Sequence, residues 1–260
     1  MSAGTFTPRP GAAPVSRMIL AQTALETRML LRNGEQLLLT VIIPALLLTL
    51  FSAVDIVTVP VEEGGSGKSV DFLAPGILAL AVMSTAFTGQ AIATGFDRRY
   101  GVLKRLGASP LPRWALMAAK TLSVLVTEVL QIALLTVIAL ALGWSPQGDP
   151  LSVAALILLG TAAFSGLGLL MAGTLKAEAT LAAANLVFLL LLVGGGVIVP
   201  LDRFPDAVQS VLGLLPISAL SDGLREVLQH GGALPWGDAA VLAGWAVIGL
   251  GAAARLFRWE

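Results

Sequence analysis

The sequence has no cysteine, one histidine (His230) and charged residues at only 12% of 260 positions. Without cysteine there are no disulfides, no thiolate metal sites and no cysteine nucleophile. A single histidine argues against histidine-cluster metal chemistry. The formal net charge is zero, which removes the usual case for a nucleic-acid partner, since such proteins present a basic face. No HExxH, GxSxG or GxxxxGK[ST] motif occurs, so the usual metalloprotease, hydrolase and P-loop chemistries are missing. No cofactor is expected on this chain. Any process here that runs on ATP needs a nucleotide site on another polypeptide.

What the chain has in quantity is apolar residues, 56% of the total, gathered in runs that suit a bilayer rather than a soluble core. Residues 1–16, with Pro8, Pro10 and Pro14 among small polar residues, read as a disordered tail. From Arg17 to Asn33, Ile19, Leu20, Thr23, Thr27, Leu30 and Leu31 share one helical face, and Arg17, Arg28 and Arg32 gather opposite. That pattern suits a helix lying in a membrane interface; the first helix of a soluble domain is the other reading. Spans are expected at about 37–54, 72–96, 114–142, 151–175, 180–199 and 237–254. Pro44 should kink the first, and an acidic, glycine-rich loop follows it. The stretch from Pro200 to Pro235 is apolar but too broken to cross. It reads as two short helices divided at Pro216, a re-entrant hairpin whose backbone ends must be buried in protein or line a cavity.

Lysine and arginine set the orientation. With both termini on one side, that side holds thirteen of the sixteen basic residues and the other holds Lys68, Arg203 and Arg225. The termini are therefore expected in the cytoplasm, with Trp144 and Trp236 at the outer interface and Trp114 and Trp259 at the inner one.

Between the second and third spans lies a polar interruption, Asp97 to Arg113, holding Arg98, Arg99, Lys104, Arg105 and Arg113. It reads as a short amphipathic helix, capped by Asp97 and closed by Gly107, Pro110 and Pro112, with Val102, Leu103 and Leu106 on its apolar side. It is either a solvated loop near anionic headgroups or a docking element for a soluble partner. Glu128 is the one acidic residue deep inside a span, with Gln131 on the same face. The pair either lines a substrate path or makes an interhelical hydrogen bond. Gln90 and Asn185 are weaker candidates of the same kind. Glycines 166, 168 and 173 in the fourth span, and 194–196 in the fifth, suit close helix packing.

These features together resemble the membrane subunit of ABC-2-type transporters, the permease family that includes bacterial drug and antibiotic exporters. The most specific part is Asp97-Arg-Arg-Tyr-Gly-Val-Leu-Lys-Arg-Leu-Gly-Ala-Ser-Pro110 with Ala119-Lys120 downstream. It is similar to the family's acidic-Arg-x-x-Gly-Thr-Leu-x-x-Leu-x-x-(Ser/Thr)-Pro stretch followed by Gly-Lys, with Val102 and Ala119 as departures. Gly196 to Pro200, Leu215 to Ile217 and Asp222 to Arg225 look like the family's segment before the last span.

The resemblance implies an all-α integral membrane protein with six transmembrane helices and no nucleotide site of its own. Asp97, Arg98, Arg99, Tyr100, Gly101, Leu103, Lys104, Arg105 and Leu106 would belong to a cytoplasmic coupling helix docked on an ABC ATPase subunit, which would bind ATP and Mg. Arg17, Arg28 and Arg32 would lie on an interfacial helix near that ATPase. Pro200, Phe204, Pro216 and Arg225 would belong to the extracellular re-entrant element and its gate. A second permease subunit, in a homodimer, would complete a pathway for a hydrophobic substrate through the lipid bilayer of the bacterial cell membrane. An ion-coupled secondary transporter and a membrane-embedded enzyme are the competing classes. The first usually carries several intramembrane ionisable groups and repeat symmetry, and the second needs a catalytic constellation; neither pattern is found.

Overall fold

The computed structural model describes residues 13–34, 38–53, 69–197 and 205–258. Among the described residues every regular element is a helix, which suits long apolar runs out of water because a helix satisfies its own backbone hydrogen bonds within one segment. The helices are α1 (Val15–Arg32), α2 (Ile43–Ala53, entered through a π turn at Leu38–Ile42), α3 (Ser69–Arg99, with a π turn at Ser84–Gly89), α4 (Val102–Gly107) and α5 (Arg113–Ala141). They continue as α6 (Pro150–Thr174), α7 (Ala177–Gly194), α8 (Asp206–Leu212), α9 (Pro216–His230) and α10 (Trp236–Leu256). Helix α1 begins two residues inside the stretch read as a tail; residues 1–12 and the loop at 54–68 lie outside the described residues.

Five helices, α3, α5, α6, α7 and α10, are long and apolar enough to cross a bilayer. The apolar helix at the first expected span, Thr40–Ser52, is shorter.

Helix α3 is the axis of the bundle. All but one residue of its first half, Ser69–Met83, are buried, and α2, α5, α6, α7 and α9 all pack on α3. Lipid offers apolar surface as good as leucine, so helices associate in it by close van der Waals fit. The tightest fit joins α6 to α10. A Cβ on Gly166 would come within 2.5 Å of the Leu250 nitrogen, and one on Gly249 within 3.0 Å of the Leu167 nitrogen, so two backbones touch where neither residue has a side chain. Gly173 likewise admits the Phe257 ring, and the Arg258 amide donates to the Gly173 carbonyl at 3.0 Å.

Helix ends follow from local chemistry. Asp149 accepts from the Ser152 amide and hydroxyl, both at 3.0 Å, with Pro150 at the first helical position. These hydrogen bonds, the backbone one foremost, hold the Asp149 carboxyl below its ordinary range. The triple glycine stops α7 at Gly194. Gly196 takes a positive φ of 67°, and Gly195 leaves room for Ile217 at the start of α9. Two short helices do meet at Pro216, as the pattern predicts. Trp114 and Trp236 are exposed, whereas Trp144 is buried in the core, where the turn at Gly143 folds its amide back onto the Ala139 carbonyl.

Candidate functional site

Gly101 separates α3 from α4 by adopting φ = 71°, the left-handed region that favours glycine. The chain turns there, and α4 starts in a new direction. Leu103 is buried, Val102 and Leu106 are half-buried, and Lys104 and Arg105 are exposed, so the expected amphipathic face is present. Gly107 is the last residue of α4, ahead of Pro110 and Pro112. Tyr100 is exposed and stacks on Phe96 with ring centroids 6.0 Å apart.

Asp97 does not cap this helix. It sits in the last turns of α3, before the break at Gly101, and accepts instead from Lys120 Nζ at 2.7 Å. Lys120 is 4% exposed and reaches Glu26 Oε1 at 3.1 Å as well. One ammonium thus joins α1, α3 and α5. Arg98 is no free docking charge either: its guanidinium Nη1 donates to the Ala172 carbonyl at 2.9 Å, and Nη2 donates to the Leu175 carbonyl. A cation there satisfies carbonyls that the end of α6 leaves without helical partners. Arg99 pairs with Glu178 in the first turn of α7. The residues expected to dock a partner therefore divide in two. Asp97, Arg98 and Arg99 hold the bundle, and Lys104 and Arg105 are left exposed beside them.

Helix α1 packs against α5, and the Thr23 hydroxyl donates to the Ala119 carbonyl at 3.4 Å. Ile19, Thr23, Thr27 and Leu30 face inward, whereas Leu20 and Leu31, expected on the same face, are exposed. Glu26 fills that inner face because Lys120 draws it in. Arg17, Arg28 and Arg32 are exposed.

Deeper in the bundle, Gln131 links two π turns. Its Oε1 accepts from the Thr85 hydroxyl at 2.8 Å and its Nε2 donates to the Thr40 carbonyl at 2.5 Å. Glu128, 1% exposed, lies against α6, where Oε2 is 2.6 Å from the Thr161 hydroxyl. Both residues are thus hydrogen-bonded between helices, the second of the two readings the sequence left open. Asn185 is exposed on α7 and donates to its own helix, to the Leu181 carbonyl at 3.0 Å, so among the described residues it makes no interhelical tie. Gln90 is 5% exposed, and neither of its amide atoms has a hydrogen-bond partner among the described residues.

At the opposite end, Pro216 opens α9. Arg225 Nη2 donates to the Gly196 and Val197 carbonyls at 2.7 and 2.9 Å, Nη1 donates to Asp222 at 2.9 Å, and the guanidinium lies 4.1 Å from the Phe72 ring centre. Arg225 therefore pins the end of α7 and the start of α3 to α9. Pro200 and Phe204 lie outside the described residues.

Glu26 and Thr161 escaped the sequence reading, and no local signal marks them. Glu26 falls in an otherwise ordinary helical face 94 residues from Lys120. Thr161 is one hydroxyl among the small residues of an apolar run.

The model of the ABC-2 type transporter family matches residues 19–228. YvfS of Bacillus subtilis (strain 168), which carries the description of a transport permease, is 25% identical over 235 residues, covering 87% of this chain and 91% of that one. The linearmycin resistance permease protein LnrN of the same organism is 29% identical over 171 residues, covering 65% of this chain and 44% of that one.

Proposed function

This chain belongs to the ABC-2 type transporter family, and from that premise we propose that it is the permease subunit of an exporter driven by a separate ABC ATPase. The ATPase would bind ATP and Mg. The cargo would be an amphipathic or hydrophobic small molecule, or a lipid-like one. The resistance role named for LnrN supports a cargo of the antibiotic kind. The reading includes six spans, with 38–53 completing the first, both termini in the cytoplasm, and a multi-pass location in the bacterial cell membrane. The thirteen-to-three distribution of basic residues supports that orientation.

The observation that carries the coupling role is the division of labour around α4. Lys104 and Arg105 are exposed on a short helix anchored by Leu103. The adjoining residues 97–99 are tied to α1, α5, α6 and α7 through Lys120, the end of α6 and Glu178. A partner that moves α4 as a rigid body therefore moves four other helices with it. Helix α9, clamped by Arg225, fits the re-entrant element of the outer gate. Helix α7 is the least buried of the long helices and presents Asn185 outward, which fits a second permease copy better than lipid.

The test is co-purification. With the ATPase co-expressed, Lys104→Glu/Arg105→Glu should insert normally yet lose the ATPase and ATP-dependent export. Unchanged co-purification and export would sink the docking role.

A further inference from the structure

Two ties hold α3 to α5. At one, Asp97 accepts from Lys120; at the other, the Thr85 hydroxyl donates to Gln131. The stretch between the ties is one residue longer on α3, from Thr85 to Asp97, than on α5, from Lys120 to Gln131. That stretch of α3 contains most of the π turn at Ser84–Gly89, and a π turn takes in one more residue than an α turn. The Gln90 amide at its end is shared between the Thr85 and Phe87 carbonyls. Gly168 of α6 backs the widened turn. A Cβ there would lie 2.9 Å from the Phe87 carbonyl oxygen and 3.2 Å from that of Ala86.

Between the ties, α3 does not close on α5. Gln90 and Thr94 line a narrow cleft whose wall also includes Ser123 and Thr127 of α5. Both amide atoms of Gln90, and the hydroxyls of Thr88 and Thr94, lack partners among the described residues. Each such buried atom costs free energy. Solvent does not reach them, so their answer must come from the protein. Unused acceptors lie on α5. The Ser123 and Thr127 hydroxyls donate to the Lys120 and Ser123 carbonyls at 2.8 and 3.0 Å, and a hydroxyl that donates still has lone pairs to accept with.

We infer that the π turn of α3 is a joint with two settings, held in the present one by the bridge from Thr85 through Gln131 to Thr40. Here the bridge is made and Gln90 is unanswered. In the second setting the bridge opens, the middle of α3 moves onto α5, and the Gln90 amide donates to Ser123 and Thr127. One set of buried hydrogen bonds replaces another, which keeps two packed arrangements close in energy. Gln131 Nε2 also holds the π turn before α2, through the Thr40 carbonyl at 2.5 Å, so the same event releases α2. The joint belongs to this chain and does not depend on what docks at α4.

The test uses the full-length protein in detergent. The sequence has no cysteine, so Ala93→Cys/Val124→Cys sets a single thiol pair on the two walls of the cleft. The rate of disulfide formation with copper–phenanthroline reads how often the walls meet, because the bond needs Cα atoms within about 7 Å. Adding Thr85→Val/Gln131→Leu, which removes the bridge, should raise that rate about tenfold, the worth of one to two hydrogen bonds. Gly168→Ala should raise it with the bridge left in place, because its methyl presses the π turn away from α6. Gln90→Leu in the bridge-free background should return the rate to its starting value. Thermal melting checks that each variant is folded, and if the bridge-free protein is not, Gly168→Ala, which removes no polar group, decides alone. Rates unchanged by Gly168→Ala overturn the joint, as do rates unchanged in a folded bridge-free protein. A gain that survives Gln90→Leu overturns the second setting.

Discussion

The guanidinium of Arg98 closes the end of α6, with Nη1 2.9 Å from the Ala172 carbonyl. Arg98 and Arg105 are both basic residues in the same interruption, yet they work on opposite sides of it. Arg98→Glu should lower the amount of folded protein, because it places a carboxylate against carbonyl oxygens at the negative end of a helix. Arg105→Glu, on an exposed position, should leave the folded amount unchanged. Membrane-inserted protein measured by fluorescence-detected size exclusion separates the two. Equal loss in both variants would mean that the α6 contact carries no stability.

Lys120→Met should be more damaging than its burial as one aliphatic chain suggests. It leaves Glu26 and Asp97 facing each other without the cation between them. Breaking a fully buried pair costs about 3–5 kcal/mol, and the figure here falls toward the lower end because both carboxylates keep some access to water. Glu26→Gln/Asp97→Asn in the Lys120→Met background should recover most of the lost stability, as read by thermal melting in detergent. Failure to recover would show that Lys120 stabilises through packing and not through charge.

The sequence yields the elements of this fold much better than their relationships. Apolar runs mark α3, α5, α6, α7 and α10 because length and hydropathy are properties of each segment alone. The break at Pro216 and the basic, amphipathic character of α4 are local in the same sense. The capping role expected of Asp97 fails because Gly101 takes a left-handed turn that gives α4 its own start, and Lys120, 23 residues away, claims the carboxylate. Glu128 has a choice of neighbours that only three-dimensional packing decides, and Thr161 is 33 residues distant. The burial of Trp144 is equally illegible in the sequence, because it depends on the tight turn at Gly143 that folds it inward.

Gly166 and Gly249 make a backbone contact that no larger residue fits. Gly166→Ala should force α6 and α10 apart, since its Cβ would lie 2.5 Å from the Leu250 nitrogen and backbone cannot swing away as a side chain does. The expected cost is about 1–3 kcal/mol, as for overpacking in other close-packed interiors. Gly244→Ala, on the same α10 but with open space around its Cβ position, serves as the control and should be neutral or slightly stabilising in melting experiments. Equal melting temperatures for the two variants would contradict the contact.

Thr161 has one hydroxyl proton and two close oxygen neighbours, the Ile157 carbonyl at 2.8 Å and Glu128 Oε2 at 2.6 Å. Both contacts become hydrogen bonds when Thr161 donates to Ile157 and accepts from a protonated Glu128. A neutral carboxyl also avoids the cost of an unpaired charge at that depth. Glu128→Gln, whose amide can donate to the same hydroxyl, should therefore insert and melt close to wild type, while Glu128→Ala should lose about 1–3 kcal/mol by leaving a void and an unanswered hydroxyl. Infrared spectra should contain a protonated-carboxyl stretch that disappears in Glu128→Gln. A carboxylate band in its place would mean that Thr161 donates to an ionised Glu128, and the Gln variant should then be destabilised.

Arg225 holds three backbone carbonyls and one carboxylate from a single planar group: Gly196, Val197, Phe72 at 3.5 Å, and Asp222. A lysine retains the charge but offers one ammonium on a flexible stem, and it cannot span donors fixed in a fork. Arg225→Lys should lose one to two of these charged hydrogen bonds, about 3 kcal/mol, and should free the segment that joins α7 to α9. The same joint can be disturbed from its other face. A Cβ at Gly76 would meet the Val197 carbonyl at 2.6 Å and Arg225 Nη2 at 2.9 Å, so Gly76→Ala should mimic Arg225→Lys although it changes no charge. Hydrogen exchange is the measurement, because it reads the amides of Gly195, Gly196 and Val197 directly. Faster exchange there in both variants, with α6 and α10 unaffected, is the expected pattern. If Gly76→Ala leaves those amides protected, Arg225 does not need the close approach of α3 to hold the joint, and the clamp must be assigned to Asp222 and Phe72 alone.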